Sequence, residues 1–106
     1  MYLEIISPEA TIYSGKVLSV SVPGESGSFQ MLSNHAPIVS NLKKGSVIIE
    51  GDLKIKEEFK KSFISKNGKM FFEINSGTIE MNNNTIILVF AALMLGLAAK
   101  SFFIVN

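Results

Sequence analysis

At 106 residues the chain has the length of one small domain with a thin core. Its formal net charge is +1, and all ten of its basic residues are lysines. That excludes long-range steering of nucleic acid or lipid phosphates, and any bidentate arginine grip on a phosphate or base edge.

The absence of cysteine excludes disulfides, thiol catalysis and cysteine-ligated metal. The opening residues MYLEIISPEA carry Glu4 and no basic flank, so they do not read as a signal peptide. Tyr2 to Ile6 predicts a first strand, with Leu3 and Ile5 on one face and Glu4 on the other. Ser7-Pro8-Glu9 turns the chain, Thr11 to Tyr13 is a short second strand, and Ser14-Gly15 turns it again. Lys16 to Val22 alternates as a half-buried antiparallel strand, with Leu18, Val20 and Val22 on the buried face and Ser19 and Ser21 on the other.

Residues 20–45 are the densest in turn signals: they hold two of the three prolines, three of the eight glycines and the single histidine. Pro23-Gly24 breaks the strand before them. Phe29 and Met31 then point one way and Gln30 the other. After the Ser33–Pro37 turn, Ile38 to Leu42 is extended, and Gly45 opens a strand with Val47 and Ile49 on one face. Beyond the Gly51-Asp52 turn, Leu53 and Ile55 alternate with Lys54 and Lys56. KEEFKK, residues 56–61, has one apolar residue and reads as a solvated edge strand or loop, since an amphipathic helix needs a wider apolar stripe. Asn67-Gly68 is a hairpin turn, because both residues adopt positive φ readily. Met70, Phe72 and Ile74 share a face, Ser76-Gly77 marks a bend, Ile79 and Met81 lie in the next strand, Asn82-Asn83-Asn84 turns, and Thr85 to Phe90 is the last strand. Turn signals at this spacing predict an all-β domain, closed or sandwiched.

The end of the chain departs from this pattern. Residues 86–99 carry no charge, Lys100 follows, and Phe102 to Val105 are apolar. A membrane helix needs about 20 apolar residues, a length reached only if 86–105 form one segment and the last strand is given up. The β-branched run TIILVF favours the strand and sets a domain of residues 1–90 against an apolar tail, 91–106. Ala91 to Ala99 suits a short apolar helix. The tail is open to three readings: docked or disordered, membrane-inserted, or foreign to the rest of the domain.

Catalysis finds little support. His35 has no second histidine or cysteine with which to share a metal, no GxSxG elbow accompanies it, and Glu57-Glu58 is a solvated pair. PGESG lacks the GxGxxG pattern and a following helix, so it is a poor phosphate cradle. The expectation is therefore no catalytic residue, no metal and no cofactor. The same turns suit docking: Pro23 and Pro37 stiffen them, and Gly24 and Gly27 permit close backbone approach. Two competing readings are a membrane-tethered β-sandwich interaction domain anchored by residues 86–105, and a small hydrolase using His35.

The ordered set of motifs resembles the epsilon subunit family of the rotary ATP synthase over residues 2–90. It runs from Ser7-Pro8 and Ser14-Gly15 through Pro23-Gly24 with Gly27 to His35-Ala36-Pro37 followed by Gly45, and ends on INSGTIEMNNNTIILVF with Gly77. The resemblance implies an all-β fold, a flattened β-sandwich of about ten antiparallel strands, as a non-catalytic subunit of the central stalk. Such a subunit would link the gamma subunit to the c-ring of a proton-driven ATP synthase, peripheral to the cytoplasmic face of the bacterial inner membrane. It implies a gamma interface at Ser7, His35, Ala36, Pro37 and Ser40, and a ring-facing turn at Glu25, Ser26, Gly27 and Ser28. Ser28 stands where the family often has an acidic residue, and Gln30 where glycine is common. Nothing after Phe90 resembles the charged two-helix domain of many members, so neither helical-hairpin inhibition nor a nucleotide site is expected. Nucleic acid is not an expected partner.

Overall fold

The computed structural model describes residues 1–91. Period-two alternation and turn residues divide them into β1 (Tyr2–Ile6), β2 (Thr11–Lys16), β3 (Ser19–Gly24), β4 (Gly27–Leu32), β5 (Ile38–Leu42), β6 (Gly45–Glu50), β7 (Phe63–Lys66), β8 (Lys69–Ile74), β9 (Gly77–Asn82) and β10 (Thr85–Phe90). Hydrogen bonding runs continuously through β2-β1-β10-β9-β5-β3-β6-β8-β7, with β4 on the other edge of β3. The two halves are β2-β1-β10-β9-β5 and β4-β3-β6-β8-β7. A single bridge between Gly24 and Leu42 joins them.

The halves share one core. Leu3, Ile5, Ile79, Met81, Ile86 and Leu88 from the first meet Val20, Val22, Met31, Val47 and Ile49 from the second, all nearly or wholly inaccessible to solvent. Aromatic rings cross the layer. Phe72 lies 4.9 Å from Phe63, and 4.9 Å from Phe90 edge-to-face. Two turns hold residue pairs in the left-handed region. Asn67 and Gly68 have φ of 52° and 77°, and Asn83 and Asn84 have 50° and 61°, as two-residue hairpins of right-handed twist require.

Several local expectations are corrected. The strands are not all antiparallel: β1 pairs parallel with β10, from Tyr2 opposite Thr85 to Ile6 opposite Val89. Ser14-Gly15 is not a turn but part of β2, which pairs with β1 across a bulge at Ile5/Ile6. Leu18 is 72% exposed while Val17 is buried. The chain passes from one half to the other there: the Val17 amide donates to the Met1 carbonyl and the Leu18 amide to the Glu50 carbonyl. That crossing restarts the alternation at Ser19. Leu53 and Ile55 lie outside any strand, following Gly51 at φ +147°, and pack against the core from a loop. KEEFKK is neither edge strand nor irregular loop, since Glu57–Ser62 forms a 3₁₀ helix. Phe59 pins it to the core, and acids in the first turn with lysines in the last suit its dipole.

The strand assignment at Thr85–Phe90 removes the proposed anchor's first residues. Ile86 and Leu88 are fully buried between β9 and β1, so a membrane segment over 86–105 would dismantle the sheet. No helix among the described residues is long and apolar enough to cross a membrane. The expected apolar helix and the rest of the tail, 92–106, lie outside the described residues.

Candidate functional site

The Glu25–Ser28 turn is the tip of the β3–β4 hairpin. Pro23 pairs with Ser28 and Gly24 with Gly27, leaving Glu25 and Ser26 as the two loop residues. All four residues from Glu25 to Ser28 are exposed, whereas Pro23 and Gly24 are buried. Two glycines are required for different reasons. A Cβ on Gly24 would sit 2.7 Å from the Gly27 carbonyl oxygen and 2.8 Å from Phe29 Cε1. Gly27 has open space around it, but its φ of +135° disfavours any side chain. Backbone bonds brace the turn from the side: the Glu25 amide donates to Asn41 O at 3.1 Å and the Lys43 amide to Pro23 O at 2.9 Å. A groove beside it is lined by Glu25, Asn41, Leu42, Ser76, Val89 and Phe90.

The His35-Ala36-Pro37 loop joins β4 to β5. It opens with a turn in which the His35 amide donates to Leu32 O at 3.1 Å, with Asn34 at φ 66°. His35 is half-buried, and its Nδ1 lies 2.7 Å from Ala36 O. A carbonyl only accepts, so Nδ1 carries the proton in that contact. Ala36 and Pro37 are exposed. Pro37 borders a second groove with Val39 and Glu80. Ser40 lies two residues beyond Ile38, half-buried, with its hydroxyl donating to Asn41 O at 3.1 Å.

Ser7 ties its own turn. Its hydroxyl donates to Ala10 O at 3.1 Å and accepts from Ala10 N at 3.1 Å, and its amide donates to the same carbonyl at 2.8 Å. Ser7 is buried, and its place follows from register. It succeeds Ile6, which pairs with Val89, at the end of the first half where Phe90, Gly77 and Leu42 align. His35 precedes Ile38, which aligns with Met81, Ile86 and Leu3 toward the other end. The structure therefore keeps Ser7 and the histidine loop at opposite ends of that half, with Ser40 between, and brings the Glu25 turn toward the end that holds Ser7.

Sequence reading missed one participant. Asn84 reads in the sequence only as part of a polar turn, yet its Oδ1 accepts from the Asn34 amide at 2.7 Å and its Nδ2 donates to Ser33 Oγ at 3.2 Å. The contact spans fifty residues of chain, and nothing in a local pattern announces it. In the sequence Tyr13 reads only as a strand residue. It is buried and donates to Lys16 O at 3.1 Å, and burial first, then the nearby Tyr2 and Asp52, pushes its phenol above the ordinary tyrosine value. Among the described residues no three of His, Asp and Glu converge to hold a metal.

Braced turns on a two-layered body define a small loop-presenting β-sandwich domain. Residues 1–94 match the family described as the ATP synthase delta/epsilon chain, β-sandwich domain, and the chain belongs to that family. It is 32% identical over 87 residues to the ATP synthase epsilon chain of Chlorobium limicola, covering 82% of this chain and 84% of the relative. It is 49% identical over 47 residues to that of Campylobacter jejuni, covering 44% of this chain and 36% of the relative. In fold it is similar to a chain in the cryo-EM structure of the Tetrahymena thermophila mitochondrial ATP synthase central stalk and c-ring, with a TM-score of 0.67 at 15% identity. That similarity covers 89% of this chain and 65% of the other. Among the described residues there is no helical hairpin.

Proposed function

We propose that the chain acts as a non-catalytic rotor subunit of a proton-driven ATP synthase, coupling ion flow to ATP synthesis by joining gamma to the c-ring. The observation that carries this reading is the family match over residues 1–94. The loops support it physically. Backbone bonds brace the Glu25–Ser28 turn, and the His35 amide bond to Leu32 O together with the Asn84 side chain ties the turn that opens the His35–Pro37 loop, so binding costs little ordering entropy. A transmitter of torque needs such stiffness. Ser7, His35, Ala36, Pro37 and Ser40 contact gamma in this reading, and Glu25, Ser26, Gly27 and Ser28 face the polar loops of the ring. The subunit lies peripherally on the cytoplasmic face of the bacterial inner membrane and requires no cofactor or nucleotide. The test is a pull-down of the organism's gamma subunit by the tagged full chain, followed by reconstitution with the c-ring. Stoichiometric capture of gamma is the expected result; a folded chain that leaves gamma in solution overturns the reading.

A further inference from the structure

Asn83 and Asn84 both hold left-handed backbone, as their two-residue hairpin requires, and the Asn84 side chain bonds outside its own hairpin. It reaches the β4–β5 loop. Oδ1 accepts from the Asn34 amide at 2.7 Å, Nδ2 donates to Ser33 Oγ at 3.2 Å, and the Ser33 hydroxyl lies 3.5 Å from Oδ1. Asn34 is itself in the left-handed region, at φ 66°, immediately before His35. The amide that Asn84 binds therefore belongs to a residue whose conformation sets the direction in which His35, Ala36 and Pro37 leave the turn.

We propose that Asn84 is a positioning residue: it latches the Ser33-Asn34 turn and so presets the His35-Ala36-Pro37 loop for its partner. This rests on the gamma-binding reading above for the identity of that partner, but the latch itself is a property of the free chain. The other tie across the turn is the His35 amide to Leu32 O at 3.1 Å, which closes the turn without fixing its tilt against the first half of the sheet. Asn84 adds that link at the start of the turn, since its hairpin belongs to β9 and β10 while Ser33 follows β4 of the second half; at its far end the loop joins the first half through β5.

Two variants separate the latch from general stability. Asn84→Gly keeps the positive φ without strain and deletes the side chain. Asn84→Asp keeps an acceptor for the Asn34 amide and for the Ser33 hydroxyl, and aspartate also tolerates this backbone region. Amide hydrogen exchange on the full-length chain reads the Asn34 site directly. The expected result is about tenfold faster exchange at Asn34 in Asn84→Gly, with protection at core amides such as Ile86 unchanged, and recovery in Asn84→Asp. Calorimetric titration with gamma should show affinity about threefold to tenfold lower for the glycine variant and near the parent value for the aspartate variant. Unchanged exchange at Asn34 in Asn84→Gly overturns the latch. Faster exchange with undiminished gamma affinity overturns its role in docking. If the parent chain does not bind gamma, the functional reading falls, while the exchange at Asn34 still decides whether the latch exists.

Discussion

Phe72 is a residue at which aromatic rings of the two layers meet. Its ring is almost wholly buried and touches Phe63 from its own half and Phe90 from the other. Phe72→Ala leaves a cavity between sheets that cannot close independently, and should cost about 3–5 kcal/mol in urea unfolding. Tyr13 contributes to the alkaline limb. Its folded-state pKa is raised, chiefly by burial, so the folded form holds the phenolic proton more tightly than the unfolded chain does. Its contribution is therefore fully present below the unfolded value of 10.0 and is lost as pH rises through the higher folded value. Urea midpoints taken from about pH 8 to about pH 11.5 should decline more steeply for the parent than for Tyr13→Phe. The variant should also be weaker by about 0.5–1.5 kcal/mol at neutral pH, having lost the bond to Lys16 O.

Among the elements, the β3–β4 hairpin couples fold to candidate function. Sequence reading treats Gly24 as a feature of a docking turn. In the structure it is a buried member of β3, facing the Gly27 carbonyl and the Phe29 ring. The ring can rotate aside, but the carbonyl is backbone and moves only with the hairpin. Gly24→Val should therefore lower stability by about 1–3 kcal/mol and shift the Glu25–Ser26 tip together, and not spare the fold. Thermal melting and the affinity for gamma, measured on the same sample, check both parts. The 3₁₀ helix at Glu57–Ser62 is an opposite case. The Lys60–Glu57 pair at 3.3 Å is exposed on both sides and contributes little, so Phe59 is what holds the segment in place.

At the scale of the whole molecule, the first and last of the described strands lie side by side. β1 is inserted between β2 and β10, and its Leu3 and Ile5 are fully buried. The fold therefore closes only when the two ends of residues 2–90 have met, and the N-terminal strand is not a dispensable edge. Removal of residues 1–6 takes away two core side chains and the ladder partners of both neighbours. The loss of two such side chains, about 4–10 kcal/mol, rivals the total stability of a domain this size. The truncated chain should be insoluble or lack the β-sheet circular dichroism band, whereas a Val39→Ser change on the exposed face of β5 should leave the spectrum intact.

The residues alone determined most of the strands, because alternation and turn chemistry are local. Val20 with Val22, Val47 with Ile49, and Phe72 with Ile74 are buried as their spacing predicts, and the Asn67-Gly68 hairpin lies where two positive-φ residues demand it. The order of motifs also carried the family. The tertiary structure decided what no local period encodes. It set the parallel seam between β1 and β10, the crossing at Val17-Leu18 that turns Leu18 outward, the folding of one continuous sheet at Gly24 and Leu42, and the reach of Asn84 across to Asn34. Each joins segments far apart in the chain, and their pairing is fixed by which arrangement buries the most apolar surface while leaving every backbone group a partner.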